Sequence, residues 1–245
     1  MIWKTALHYA RFWLALALVS GQLTVEEKEQ ILDLHNWYRS MVSPEAADML
    51  HMTWDDGLGS VAQSYADKCI WEHNDEVKYK LGENLFLTEG PLSINKSMAE
   101  WFHERKNYDY GTNTCVSGMC GHYTQIVWAK SSTIGCASHF CETVQNTNFE
   151  SATILVCNYY PQGNVGVEQP YEVGEPCSKC PLEMNECVKN TCAQIESTTE
   201  ESSTDTWSRD TPQTKLEGSS GFTKFSVDTL LLAGLLAGLM VSFIF

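Results

Sequence analysis

The chain has 245 residues, 43% hydrophobic and 19% charged, with 16 Lys and Arg against 31 Asp and Glu and ten cysteines. A net charge of -15 argues against DNA or RNA as partner, since phosphate binding needs clustered cations, and the length predicts one or two domains rather than an array. Ten cysteines imply five disulfides in an exported chain, but metal or redox chemistry in a cytosolic one.

The N-terminus decides between these. Lys4 and Arg11 precede the apolar run Phe12 to Val19, and the small residues Ser20 and Gly21 then meet Gln22. This order predicts a secretory signal peptide over 1–21, cleaved after Gly21. Its removal takes away two positive charges and no negative ones, leaving the mature chain at -17.

Three helices come next. Ile31, Leu34, Tyr38 and Met41 recur at helical spacing, as do Leu58, Val61, Tyr65 and Cys69, and then Ile94, Met98 and Trp101 with Phe102 beside them. From Gly121 onward the pattern changes. His122 to Trp128, Ile134 to Phe140 and Thr153 to Tyr159 are rich in β-branched and aromatic residues and are expected to be strands. Helices first and strands later, without regular alternation, predict an α+β layered domain with antiparallel strands over 22–166. Trp37, Trp54, Trp71, Trp101 and Trp128 are expected in its core.

A cysteine-rich module over 167–192 follows. The segment 193–219 carries eleven Ser or Thr residues among acidic ones, which predicts a disordered stalk open to O-glycosylation. Leu230 to Phe245 is a sixteen-residue run without a charge. Preceded by Gly218, Ser219, Ser220 and Gly221 and a spacer of eight, it predicts a GPI-attachment propeptide over 220–245 with Ser219 as the attachment residue. A short transmembrane anchor and a retained soluble tail are the competing readings. The expected location is the extracellular side of the cell surface, through a lipid anchor, with shedding as a second route.

Four segments in order carry a resemblance. They are Leu34-His35-Asn36 with Arg39, Gly82-Glu83-Asn84-Leu85, the run Gly121-His122-Tyr123-Thr124-Gln125-Ile126-Val127-Trp128, and the run Ile154-Leu155-Val156-Cys157-Asn158-Tyr159. Together they resemble the CAP superfamily of cysteine-rich secretory, antigen 5 and pathogenesis-related proteins. Asp48 to Met52, the pair Cys115 and Cys120, and Ile134 to Cys141 point to its membrane-anchored vertebrate members. The resemblance implies a three-layer α-β-α sandwich followed by a small disulfide-rich hinge module. It implies the pairs Cys69 with Cys141, Cys136 with Cys157, Cys115 with Cys120, Cys177 with Cys187, and Cys180 with Cys192. The further cysteines of the family's channel-regulating module are missing, so channel block is not implied. Cys177-Ser178-Lys179-Cys180 has redox or zinc-ligand spacing by itself, but disulfides are the favoured reading in an exported chain.

The resemblance also implies a cleft lined by His73, Glu83, Glu104 and His122, with Asn84 and Gln125 as wall donors. Neutral imidazoles suit zinc or another divalent cation, and carboxylates beside them can orient the rings. The competing reading is a polar cluster that stabilises the domain without a ligand. Catalysis is not expected. His103-Glu104-Arg105-Lys106-Asn107 lacks the second His of a zincin helix, no Gly-x-Ser-x-Gly elbow occurs, and no cysteine is left over. His35 is expected in helix packing. Asn95-Lys96-Ser97 is the one N-glycosylation sequon, at the start of the third helix. The expected function is a binding or inhibitory module acting on a protease or growth signal. A sterol or lipid carrier and a metal-dependent hydrolase are the alternatives.

Overall fold

The computed structural model describes residues 22–194. The leader expected over 1–21, all but the first two residues of the stalk expected over 193–219, and the terminal run expected to carry the anchor signal, with Ser219, lie outside the described residues. Among the described residues no helix is long and apolar enough to cross a membrane.

Helix α1 (Val25–Ser40) starts at a capping box: the Thr24 hydroxyl accepts from Glu27 N, and the Glu27 carboxylate accepts from Thr24 N. Strand β1 (Thr53–Trp54) leads into α2 (Asp56–Ala66), capped by Asp55. Strand β2 (Gly82–Glu89) precedes α3 (Ile94–His103), capped by Ser93. A 3-10 turn (Glu104–Asn107), the short β3 (Tyr108–Asp109) and β4 (Thr114–Cys115), and helix α4 (Gly121–Ile126) follow. The long strands β5 (Thr133–Thr143) and β6 (Glu150–Tyr160) complete the domain, and β7 (Glu186–Val188) with β8 (Thr191–Ala193) form a separate ribbon.

The main sheet has the order β1-β5-β6-β2, antiparallel except for the β1–β5 pair. Side chains alternate across it. Leu85, Ile154 and Val156 meet Ala62, Tyr65 and Ala66 of α2 on one face. Phe86, Leu155, Cys157 and Tyr159 meet α1, α3 and α4 on the other, around Ile31, Met98, Trp101 and Ile126. This is a three-layer α-β-α sandwich of the α+β class.

Two expectations are corrected. His122 to Trp128 is not a strand; most of it is α4. Its N-terminus has no side-chain cap of its own, but the Glu104 carboxylate accepts from His122 N at 3.0 Å and Tyr123 N at 3.3 Å. Tyr123, Thr124, Gln125 and Ile126 are all buried, so tertiary packing overrides β propensity here. Trp37 and Trp71 are not core residues: they are 54% and 37% exposed, whereas Trp101 and Trp128 are buried.

Five disulfides join Cys69–Cys141, Cys115–Cys120, Cys136–Cys157, Cys177–Cys187 and Cys180–Cys192, the pairs that the resemblance implies. The cysteine-rich segment docks on the loop before β1. His51 N donates to Cys192 O, Cys192 N to Met49 O, and Ala47 N to Glu172 O. Ala193 lies in β8 rather than in the stalk.

Candidate functional site

β2 is an edge strand, and its first residues organise the site. Glu83 and Asn84 are consecutive, so their side chains leave the strand in opposite directions. Glu83 Oε1 accepts from His73 Nδ1 at 2.9 Å and from Asn74 N at 2.9 Å, while its Oε2 lies 3.4 Å from the Asn158 amide. Asn84 Nδ2 donates to the His122 carbonyl at 3.1 Å and to the Tyr159 hydroxyl at 3.2 Å. One residue holds His73; its neighbour holds the backbone that carries His122.

The segment bearing His73 is pinned after α2 ends. Cys69 is bridged to Cys141, Ile70 pairs with Gln145, and the Tyr65 hydroxyl donates to Glu72 O at 2.6 Å. His122 is fixed from three sides. Glu104 Oε1 accepts from its Nδ1 at 2.7 Å, Trp101 stacks on its ring at 5.9 Å between centroids, and Asn84 takes its carbonyl. Trp101 is itself held by its indole donating to Leu85 O.

Both imidazoles therefore use Nδ1 on a carboxylate, and among the described residues neither Nε2 has a hydrogen-bond partner, which leaves it open to a metal. This is the carboxylate–histidine arrangement that raises ligand basicity and fixes the ring. His73 is 68% exposed at its side chain and Glu83 only 5%; His122 and Glu104 are 18% and 14%. The Glu83 hydrogen bond, aided by its charge and opposed by burial, raises the pKa of His73 above the usual imidazole value. The four side chains do not offer three ligand atoms all within 4.8 Å of one another. An ion bound by the two Nε2 atoms would complete its shell with water or with a partner's donors, as open zinc sites do. Two tighter sets, Cys69 with His139 and Cys141, and Cys177 with Cys180 and Cys192, are spent in disulfides and offer no thiolate.

Neither Asn84 nor Gln125 is a wall donor. Asn84 is buried with its Nδ2 on the His122 carbonyl and the Tyr159 hydroxyl, and Gln125 is buried too: its Oε1 accepts from Gly163 N at 3.0 Å, and its Nε2 donates to Ser131 Oγ at 3.2 Å. The Gln125 amide fills the space where Gly82 and Gly163 lack a side chain: a Cβ at Gly82 would lie 2.1 Å from Gln125 Oε1. Asn158 and Tyr159 were not singled out from the sequence as site residues. Asn158 stands opposite Glu83 in the β2–β6 register, a pairing that appears only once strand partners are known. His35 is fully buried, as expected of a packing residue.

A three-layer sandwich with a disulfide-rich extension and two histidines braced by carboxylates at an edge strand defines the class of protein. The family model "CAP: Cysteine-rich secretory protein family" matches residues 32–159, and the chain belongs to that family. It is 49% identical over 177 residues to human peptidase inhibitor 16, a match covering 71% of this chain and 38% of the relative. It is 42% identical to bovine GLIPR1-like protein 1, covering 69% of this chain and 71% of that one. Among solved structures, NaASP2 with Zn2+ aligns with a TM-score of 0.59 and 29% identity over 71% of this chain and 98% of that one. The chain spans less than two fifths of the peptidase inhibitor 16 relatives it matches.

Proposed function

We propose that the protein is an extracellular binding module, held at the cell surface by a lipid anchor, that takes a divalent cation between His73 and His122 and acts on a protein partner without turnover. The observation that carries the cation is the pair of Nδ1–carboxylate bonds at 2.9 and 2.7 Å, which orient two free Nε2 atoms. The zinc-bound relative supports the choice of ion. The family description supports an extracellular location, and the name of the peptidase inhibitor 16 relatives supports a peptidase as the partner class.

The hydrolase alternative is disfavoured by the carboxylates. Glu104 already accepts three hydrogen bonds, from His122 Nδ1, His122 N and Tyr123 N, and Glu83 accepts from His73, Asn74 and Asn158. Three of the roughly four lone pairs on each carboxylate are thereby committed to holding the rings and the backbone, which leaves about one for a water proton. The carrier alternative finds an aromatic-walled cleft of only about 210 Å³, between Met41, Phe102, Arg105, Tyr108 and Tyr123, whereas two larger hollows, of about 310 and 480 Å³, are lined mostly by charged and polar side chains such as Lys130 and Glu168, or Glu26, Glu29 and Asp33, which do not suit an apolar ligand.

Calorimetric titration of the secreted ectodomain with zinc tests the site. One ion should bind, and His73→Ala combined with His122→Ala should abolish the heat while the disulfide map stays intact. Undiminished affinity in the double variant would refute it. Metal-dependent cleavage of a peptide library would replace the binding module with the hydrolase.

A further inference from the structure

The glycosylation signal Asn95-Lys96-Ser97 lies inside a helix. Asn95 and Ser97 are the second and fourth residues of α3, and residues two apart on a helix do not share a face. The burial shows the consequence. Asn95 is exposed, while Ser97 is fully buried and its hydroxyl donates to the Ile94 carbonyl at 3.0 Å. Glycan transfer requires the acceptor asparagine and the hydroxyl two residues on to be read together. The folded chain presents the first and hides the second.

The asparagine itself is not blocked. Gln30 of α1 donates to its Oδ1 at 3.2 Å, and its Nδ2 makes no hydrogen bond among the described residues. A sugar on Nδ2 leaves both the helix and the Gln30 contact in place. The fold therefore tolerates the product of the modification but not its recognition.

We propose that Asn95 is glycosylated only before α3 packs, so that occupancy is fixed by a race between glycan transfer and folding. This rests on the extracellular reading above, because it needs passage through the secretory pathway. In the transfer, Asn95 Nδ2 bonds to the anomeric carbon of a lipid-pyrophosphate-linked oligosaccharide. The bond from that carbon to the pyrophosphate oxygen breaks, the lipid pyrophosphate leaves with the electron pair, and one amide proton passes to a base of the transferase. The race has a definite length. An isolated ten-residue helix is marginal in water, and α3 packs against α1 and β2, made before it, and through Trp101 on His122 and Phe102 on Tyr123 against α4, which follows Asn95 by about thirty residues. At about 5–20 residues per second, the synthesis of α4 leaves the sequon open for roughly 1.5–6 s.

The full chain expressed in secreting cells, with and without dithiothreitol to block disulfide formation, gives the first readout, by gel shift on enzymatic glycan removal. Occupancy should be partial without the reductant and higher with it. A second readout uses the unglycosylated full chain, native or reduced and denatured, with purified oligosaccharyltransferase and a synthetic lipid-linked donor. Transfer to the unfolded form should exceed that to the native form about tenfold or more, since an opening cost of only about 1.4 kcal/mol already gives that ratio. Equal transfer to the native chain, or none to the unfolded one, overturns the proposal. Secretion of the Asn95→Gln chain tests the extracellular reading separately: its appearance in the medium upholds that reading whatever the transfer assay gives.

Discussion

The His35 imidazole and the Tyr159 hydroxyl are joined by a 3.0 Å hydrogen bond in which histidine is the acceptor. Nδ1 of His35 faces the Ile31 carbonyl at 2.7 Å, so Nδ1 carries the ring proton and Nε2 takes the tyrosine's. The Tyr159 oxygen in turn accepts from Asn84, which also holds the His122 carbonyl. A buried chain thus runs from α1 through β6 and β2 to α4, linking the packing of the first helix to the position of a proposed metal ligand.

Removing the middle of that chain tests it. Tyr159→Phe keeps the ring but leaves His35 Nε2 without its donor and Asn84 without one of its acceptors. An unsatisfied buried polar group costs about 1–3 kcal/mol, and that destabilisation should appear in urea unfolding. Unchanged stability would show that the chain contributes nothing.

His35 makes stability depend on pH. It is fully buried, and burial, with the Arg39 charge as a lesser contribution, lowers its pKa from 6.5 to about 4. In the unfolded chain it titrates near 6.5, so between those values the unfolded state binds the proton first. Stability is therefore complete above pH 6.5 and falls as pH drops toward 4, by up to about 3 kcal/mol at 1.36 kcal/mol per unit. His73, with its raised pKa, works in the opposite direction, but its exposed ring makes its effect small. Unfolding by circular dichroism across pH 4–7.5 should show the slope, and His35→Gln should flatten it.

Arg39 is the least replaceable side chain in this region. It is buried with no carboxylate partner among the described residues, and its guanidinium donates to the carbonyls of Leu50, Ile126, Trp128, Ala129 and Ser131. Burial pulls its pKa down to about 9, which leaves it charged at neutral pH. Lysine has one donor centre where arginine has a fork. Arg39→Lys should therefore cost at least about 3 kcal/mol, since several carbonyls lose their donor, and it should show as loss of secretion or a clearly lower melting temperature.

The sequence made the layers legible because periodicity reports burial. Ile31, Tyr38, Leu58, Tyr65, Met98 and Trp101 face the core as their spacing implies, whereas Met41, just past the end of α1, is 40% exposed. It failed where long-range partners decide. α4 reads as a strand because its cap, Glu104, comes from the preceding 3-10 turn and its β-branched residues are buried by neighbouring elements. The His–Glu pairs could be named through the family motifs. Gln125 was misplaced for another reason: its role depends on two glycines, Gly82 and Gly163, that approach it only in the folded chain.

That relationship yields a coupling experiment. Gly82→Ala places a Cβ 2.1 Å from Gln125 Oε1 and should destabilise by about 1–3 kcal/mol through overpacking. Gln125→Ala removes the obstacle but abandons Gly163 N and Ser131. If the glycine is there to admit the glutamine, the double variant should be more stable than the sum of the single effects implies, by about 0.5–3 kcal/mol. Strict additivity in denaturant unfolding would reject that account.

The last prediction separates orientation of the imidazole from mere presence of a carboxylate. Glu104 uses Oε1 on His122 Nδ1 and Oε2 on the backbone N–H groups of His122 and Tyr123. In Glu104→Gln one of these oxygens becomes an NH2 group, which must face either a backbone donor or the ring nitrogen. If the backbone keeps the remaining oxygen, the amide donates to Nδ1, and the ring proton moves to Nε2, the atom proposed to bind the ion. Zinc affinity should then fall about 10–100-fold, the usual effect of losing an outer-shell partner, while the helix stays capped. Glu83→Gln should act in the same way on His73, with less effect on stability because that ring is mostly exposed. Calorimetry on the two single variants decides the matter: zinc affinities within about twofold of the parent would mean that neither carboxylate orients a metal ligand.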